Sequence, residues 1–364
     1  MPKTSENSAL NNTHALVADA GQYKEFALRA MAEYLIQEAG NQRTRLQANI
    51  DTIELPVTVV DAVMLPGSPQ FADGLIPSYL EWGAAYGINH LLMIQPPLAK
   101  ESLARVPALD YLPENAPNLF DCSIVDAGEG VFCLISGRHA ANHTPTGRPD
   151  LPALLERERR RGRRVIMLPR ESAALLPREV YTGREAVISL NLTSQVLRDP
   201  FRGREAERAR IAFQTHIEEQ LPVNRVGYTL APHPWAMGSV FTLLPGVKPD
   251  SAFHPLSIDI PYGSIVTQAP IIKATVENQP MGTLIRSYGN RLTVEFKAGD
   301  VVGLHEISVW INGENVRHFD AHERKTFDAG FLLKKPEVSG LFALWLECTT
   351  IDGKRAITDP IWIR

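Results

Sequence analysis

A change of pattern near residue 270 constrains this chain more than any other feature. Before it, short apolar strands alternate with helical stretches; after it, strands follow one another with no helix between them. In the first part the strand-like runs are VTVVDAVML (Val57–Leu65), INHLLMI (Ile88–Ile94), VIMLP (Val165–Pro169), AVISLNL (Ala186–Leu192) and VGYTL (Val226–Leu230). Between them lie helical patterns. One carries Tyr79, Leu80 and Ala84 and closes at Gly87, one carries Leu151, Leu154 and Leu155 and stops at Gly162, and one spans Arg204 to Gln220 with Ala206, Ala209, Phe213 and Ile217 on one stripe. Apolar strands that alternate with helices are covered on both faces, which predicts a parallel sheet or barrel.

From about Ile271 the runs RLTVEF (Arg291–Phe296), EISVWING (Glu306–Gly313) and GLFALWLEC (Gly340–Cys348) read as strands. Asn312-Gly313 and Asp352-Gly353 are hairpin signals, because a two-residue turn of this kind favours residues that tolerate positive φ. Leu292, Val294 and Phe296 alternate with polar neighbours, as on a half-buried strand, and GLFALWLEC, apolar on both faces, is predicted to be central. This zone predicts a small β-sandwich. The first fifty residues open on a dozen polar ones and continue as a helix from about His14 to Ala48, with Phe26, Ala30, Met31, Tyr34 and Leu35 on one stripe and a break expected at Gly40. The expected division is 1–50, a helical segment; 51–267, the strand–helix region; and 268–364, the sandwich.

Composition narrows the function class. With 37 Lys and Arg against 41 Asp and Glu the net charge is −4, which gives no electrostatic case for nucleic acid or a membrane surface. Three cysteines in 364 residues make no disulfide framework and suit a reducing compartment. The polar N-terminus shows no signal peptide, and no run reaches the roughly 18 apolar residues of a membrane span. A cytoplasmic protein is expected, with homo-oligomerisation open.

Several segments in this order resemble the PHP (polymerase-and-histidinol-phosphatase-like) family, in the members whose metal-dependent barrel precedes a β-sandwich. Phe71–Pro97 is similar to the family's Asp-Gly loop (Asp73-Gly74), the helix with its Ala-x-x-x-Gly ending, and the second strand. Arg148–Arg170 is similar to a later helix, its Gly stop and the strand that ends in His-Pro; TLAPHPWAMGS (Thr229–Ser239) resembles the Asp-x-His loop, and AITDPIWI (Ala356–Ile363) the ending of the sandwich. The resemblance implies an α/β plus all-β chain, a distorted (β/α) barrel of PHP type followed by a C-terminal β-sandwich. It would also imply a cluster of two or three metals. The positions the family gives to ligands are here Val63, Leu65, Ile94, Gln95, Pro96, Leu168 and Ala231. Val, Leu, Ile, Pro and Ala supply no lone pair to a dication. Neither a metal nor another cofactor is therefore expected, and the family's hydrolysis does not carry over.

Six residues remain as site candidates. His233, between Pro232 and Pro234 and followed by Trp235, is placed at a strand end and could act as a held general base; packing of an ordinary loop His on Trp235 is the simpler alternative. Glu129 is paired with it as a second catalytic candidate. His139 and His143 are four apart, a metal-gripping spacing on a helix, but Gly137, Pro145 and Gly147 around them argue for loop; the resemblance, which has a Glu and a His in this neighbourhood, implies a pocket location for the two, with Asp73 and Trp235. The Arg157–Arg164 cluster, interleaved with Glu156 and Glu158, reads as a solvated helix end. Two functions follow: a repurposed protein that binds or converts a small organic molecule without the metal cluster, or a non-catalytic relative with a structural or partner-binding role. Whether the chain is an enzyme is left undecided. Titratable groups converging on the strand ends would favour the first, and apolar packing there the second.

Overall fold

The computed structural model describes residues 30–31, 33–52, 56–65, 69–95, 115–128, 131–137, 151–169, 186–189, 200–230, 234, 237–250, 253–287, 289–337 and 340–364. Helix α1, residues 33–51, runs through Gly40, where a break is expected. The side it buries is not the predicted stripe: Ala30, Met31 and Tyr34 of that stripe are exposed, whereas Ala39, Leu46, Asn49 and Ile50 are covered. Polar groups fix this placement. Arg45 pairs with Asp300 and Asp352, and Asn49 Nδ2 donates to Ala269 O and Asp300 Oδ2.

Strand β1 (Val57–Met64) lies between β2 (His90–Gln95), parallel to it, and β8 (Phe241–Pro245), antiparallel. Outward from β2 come β3 (Asn118–Gly128), β4 (Val131–Ser136), β5 (Val165–Pro169), β6 (Ala186–Ser189) and β7 (Asn224–Val226). Outward from β8 come β9 (Ile265–Thr267), β18 (Arg355–Thr358) and β17 (Phe342–Thr350), and β17 also carries β14 (Leu304–Ile311) and β19 (Ile361–Ile363). With β12 (Leu284–Ile285) and β15 (Glu314–Asp320) the sheet counts 15 strands among the described residues. A second sheet has the order β11 (Gln279–Pro280), β10 (Ile271–Val276), β13 (Arg291–Gly299), β16 (Thr326–Lys334), and meets β15 through Phe296, Phe327 and Phe331 against Phe319.

This architecture corrects the expected PHP-type (β/α) barrel followed by a sandwich. The chain is built mainly of strands in one mixed sheet that continues through β8, β9 and β18 into the strand-only zone. Its middle is antiparallel: only residues 129 and 130 separate β3 from β4, too few for a helical crossover, and β5 is again antiparallel to β4. Helices are few among the described residues: α1, α2 (Pro69–Tyr86), α3 (Leu151–Arg160) and α4 (Pro200–Glu218). None is long and apolar enough to cross a membrane. Helix α2 corrects a second expectation, because Asp73-Gly74 lies inside it and is not a loop. Pro69 opens the helix, a position where proline's fixed φ is already helical and its missing N–H costs nothing.

Both faces of β1 are apolar. Val60, Ala62 and Met64 pack on one side with Leu92, Ile94, Cys122, Leu134, Ile166, Val187, Val226 and Leu244. Val57, Val59, Val63 and Leu65 pack on the other, in the cluster that takes in Leu80, Met93, Ala209, Phe213 and Ile217 and continues into the strand-only zone. Strands flanked on both sides read as unbroken apolar runs for this reason. Cys122, Cys133 and Cys348 are buried and form no disulfide with one another.

Among the described residues no strand pairs with the far edge of β7, yet its backbone is satisfied. Arg225 N–H donates to Asp359 Oδ1 (2.7 Å), Arg225 O accepts from Ser264 Oγ (2.8 Å), and Gly227 N–H donates to Thr242 Oγ1 (2.9 Å). The β7 end of the sheet thus curls back onto β8 and β9, with side chains in place of ladder bonds. Buried backbone polar groups require partners of some kind, and here three side chains supply them.

Candidate functional site

The C-terminal ends of the parallel strands β1, β2 and β5, with the chain leaving β7, form one apolar rim. Met64, Ile124, Leu168 and Leu230 are half-buried there and pack against the cluster that contains Ile94. Register explains the convergence: Met64 lies opposite Ile94, and Ile94 opposite Cys122, with Ile124 two residues further along β3 on the same face. Leu168 projects from β5 beside Phe132 of β4.

Only some of the positions singled out in the sequence meet here. Ile94 and Leu168 share the rim face, but Val63 and Leu65 belong to the opposite face of β1, under the helices. The β1 residues that do reach the rim face are Ala62 and Met64; the alternation of a strand makes a one-residue shift a change of side. Glu129, His139, His143, His233 and Trp235 lie outside the described residues. Asp73 is on α2, and the structure describes no surroundings for its side chain. Among the described residues no three His, Cys, Asp or Glu gather as a metal site.

Sequence reasoning passed over Asp61, the most informative titratable group of β1, which the alternation of the strand puts on the face of Val59 and Val63, opposite the rim face. Its side chain is fully buried on β1. Oδ1 accepts N–H from Thr229 (2.8 Å) and Ala62 (2.7 Å), and Oδ2 accepts N–H from Gly238 (3.2 Å). One carboxylate therefore holds both ends of the 229–238 segment, which joins β7 to β8. Burial pushes its pKa up to about 6, against these hydrogen bonds, which hold it down. Gly238 has φ +77, and a Cβ there would run into the Tyr86 ring, so only glycine fits under it. Periodicity reads Asp61 as a polar interruption of an apolar run; an acid inside such a run was the available signal.

The opposite end of the strands holds a polar group of its own. The rings of His90 and His254 stand on Phe120, each 5.1 Å from it by centroid. His254 Nδ1 accepts Leu256 N–H (3.1 Å), and burial, then Arg163 and His90, push its pKa down to about 4. Burial lowers the pKa of His90 as well. Arg163 Nη1 donates to Ser136 Oγ (2.6 Å), and the Arg164 guanidinium is buried with Nη2 on Pro255 O (3.2 Å). The solvated helix end expected at Arg157–Arg164 thus holds for Arg157, Arg159, Arg160 and Arg161, which pair with Glu156 and Glu158, but not for Arg164.

Where β7 meets the strand-only zone, Asp359 also accepts Ser264 N–H (2.7 Å), its Oδ2 shares with Arg225 O the single proton of the Ser264 hydroxyl (2.6 and 2.8 Å), and burial raises its pKa. Asp359, Asn224, Arg164, Gly263 and Gly282 line a cavity of about 10 Å³, room for about one water. The Arg225 guanidinium is buried over the rings of Phe213 (3.7 Å) and Trp345 (4.4 Å). No family model, curated protein or solved structure matches the chain.

Proposed function

We propose that the chain binds a small organic molecule with a largely apolar body at the C-terminal ends of its parallel strands. The observation that carries this reading is the half-buried apolar rim of Met64, Ile124, Leu168 and Leu230 around Ile94. Ligand sites are typically lined by apolar side chains with a few polar groups to orient the guest. Glu129 follows the last residue of β3, and His233 follows Leu230 by three residues; these two are assigned to the polar part of the ligand. The reading is one of binding, with the rim supplying apolar contact and no hydrolytic metal centre.

The test is a fluorescence titration with 1-anilinonaphthalene-8-sulfonate, an apolar ring system carrying one charge. Saturable one-site binding is expected, weakened at least tenfold in Leu168→Glu and in Met64→Glu and unchanged in Leu332→Glu, on the exposed side of β16. A tenfold loss is about 1.4 kcal/mol, within what burying one large apolar side chain contributes. Binding that does not saturate, or that ignores both rim substitutions, contradicts the reading.

A further inference from the structure

We infer that β16 is the contact strand of a homodimer, in which two copies of the chain pair β16 antiparallel about a two-fold axis at Phe331. An edge strand offers unpaired N–H and C=O groups to any other chain, and proteins close such edges with short strands, bulges, prolines or covering groups. Other edges among the described residues are closed in these ways. β11 and β12 have two residues each. β15 meets β14 across a register shift at Val309 and Trp310. At β7 the side chains of Asp359, Ser264 and Thr242 take the outer backbone groups. β16 has none of these devices. Its nine residues pair with β13 without a shift, none is proline, and the side chains turned inward, Phe327, Ala329, Phe331 and Leu333, are uncharged. Among the described residues no strand pairs with its far edge.

The ladder with β13 decides which groups that edge presents. Asp300 N–H donates to Lys325 O and Lys335 N–H to Asn290 O (both 2.9 Å), so the odd-numbered residues turn their backbone groups to β13. In an antiparallel ladder these alternate with residues whose N–H and C=O turn the other way. The free edge therefore carries the backbone groups of Thr326, Asp328, Gly330, Leu332 and Lys334. The same five residues lie on the exposed face of the sheet, where Leu332 is 56% exposed.

Charge and register name the occupant. Asp328 and Lys334 lie three residues either side of Phe331. A two-fold axis there sets each Asp328 against the partner's Lys334 and each Gly330 against the partner's Leu332, and every such pair exchanges two backbone hydrogen bonds. Gly330 leaves room for the two Leu332 side chains to meet diagonally. On the inner side Phe331 faces the partner's Phe331, at a position without backbone bonds, where side chains come closest. An axis at Gly330 would instead set each Asp328 against the partner's Leu332 and each Lys334 against the partner's Thr326. The charges within one copy favour the first register. Asp328 stands opposite Lys297 on β13, but Lys334 stands opposite Arg291, a like charge, and its ion pair with Glu337 (3.0 Å) is exposed at both ends. An acid from a second copy would lie on the side of Lys334 where its own sheet ends. The edge is thus its own complement.

The test is sedimentation equilibrium of the full chain from about 5 to 500 μM. One strand edge is a small contact, so a weak dimer with a Kd of about 10–100 μM is expected. Asp328→Lys and Lys334→Asp each set like charges across both contacts, and each should weaken self-association at least tenfold. Mixed in equal amounts, the two variants set opposite charges at both contacts, and the mixture should return to about the wild-type Kd. That recovery also shows that both variants fold. Gly330→Pro removes an N–H from the free edge and none from the β13 ladder, and a Cβ there meets Glu295 Cγ at an ordinary 3.6 Å. It too should weaken the dimer at least tenfold. A wild type that stays monomeric to the top of the range overturns the inference. A dimer that ignores all three substitutions, or a mixture no tighter than its components, overturns it as well.

Discussion

The strand-only zone and the region around β7 solve one problem in two ways. In the first, β13 pairs with β16 over nine consecutive residues and β14 with β17 over most of its length, so backbone donors and acceptors satisfy one another. At the β7 edge the ladder ends, and Asp359, Ser264, Thr242 and, further along, Asp61 take up the amides and carbonyls left over. The difference teaches where sensitivity should lie. A ladder shares its load over many equivalent bonds, whereas a seam made of side chains concentrates it on a few, two of them buried carboxylates.

The largest effect that would sharpen this contrast is expected at Asp359. Replacement by Ala strands Arg225 N–H and Ser264 N–H, leaves the Ser264 hydroxyl only Arg225 O as acceptor, and removes a negative charge that acts on the buried Arg225 and Arg164. A loss of about 3–5 kcal/mol is expected, the range for uncoupling a buried charge from its partners. Denaturant unfolding of the variant checks it; a loss below 1 kcal/mol would place Asp359 among ordinary surface residues.

Thr242→Val is a smaller perturbation of the same seam. It keeps the shape of the side chain while removing the acceptor of Gly227 N–H and the donor to Gly227 O. About 1–3 kcal/mol is expected from the unsatisfied buried groups. An unchanged midpoint would mean that the seam closes by apolar packing alone.

The smallest effect concerns pH. His254 has its folded pKa pushed down to about 4 from an ordinary 6.5, so between those values the unfolded chain holds the proton. The stability it contributes is present above pH 6.5 and is lost as pH falls through that window. Asp61 has the reverse sign: with a folded pKa near 6 against 3.8, its contribution is present below pH 3.8 and is lost as pH rises toward 6. The two oppose each other across the same window. His254→Asn, which keeps an acceptor for Leu256 N–H, should therefore leave stability falling more steeply as pH rises from 4 to 6. His254 is partly solvated, so solvent screening keeps the change modest. Melting curves that keep the wild-type slope would contradict the assignment.

Much of the element order was legible in the sequence because period-2 alternation and turn chemistry act locally. β13, β14 and β17 occupy the predicted runs, and Asn312-Gly313 turns between β14 and β15 with φ +49 and +89. Long-range facts were not legible. Strand direction depends on partners: the two-residue β3–β4 connection sets an antiparallel middle that apolar content alone does not distinguish from a parallel one. The Asp73-Gly74 pair reads locally as a turn, but Pro69 starts the helix four residues earlier and tertiary packing of Ile76, Tyr79 and Leu80 carries it through. The partners of Asp61 and Asp359 left no periodic trace, because each acid acts across more than one hundred residues of sequence, on groups chosen by how the sheet curls.

Hydrogen exchange in Thr242→Val tests the side-chain seam most directly. The account predicts that the Gly227 amide exchanges at least tenfold faster than in the wild type, relative to the change at Ile307 and Val309 within the β14 ladder. Equal acceleration at all three, or none at Gly227, would mean that β7 is held as the ladder strands are, and would contradict the central claim.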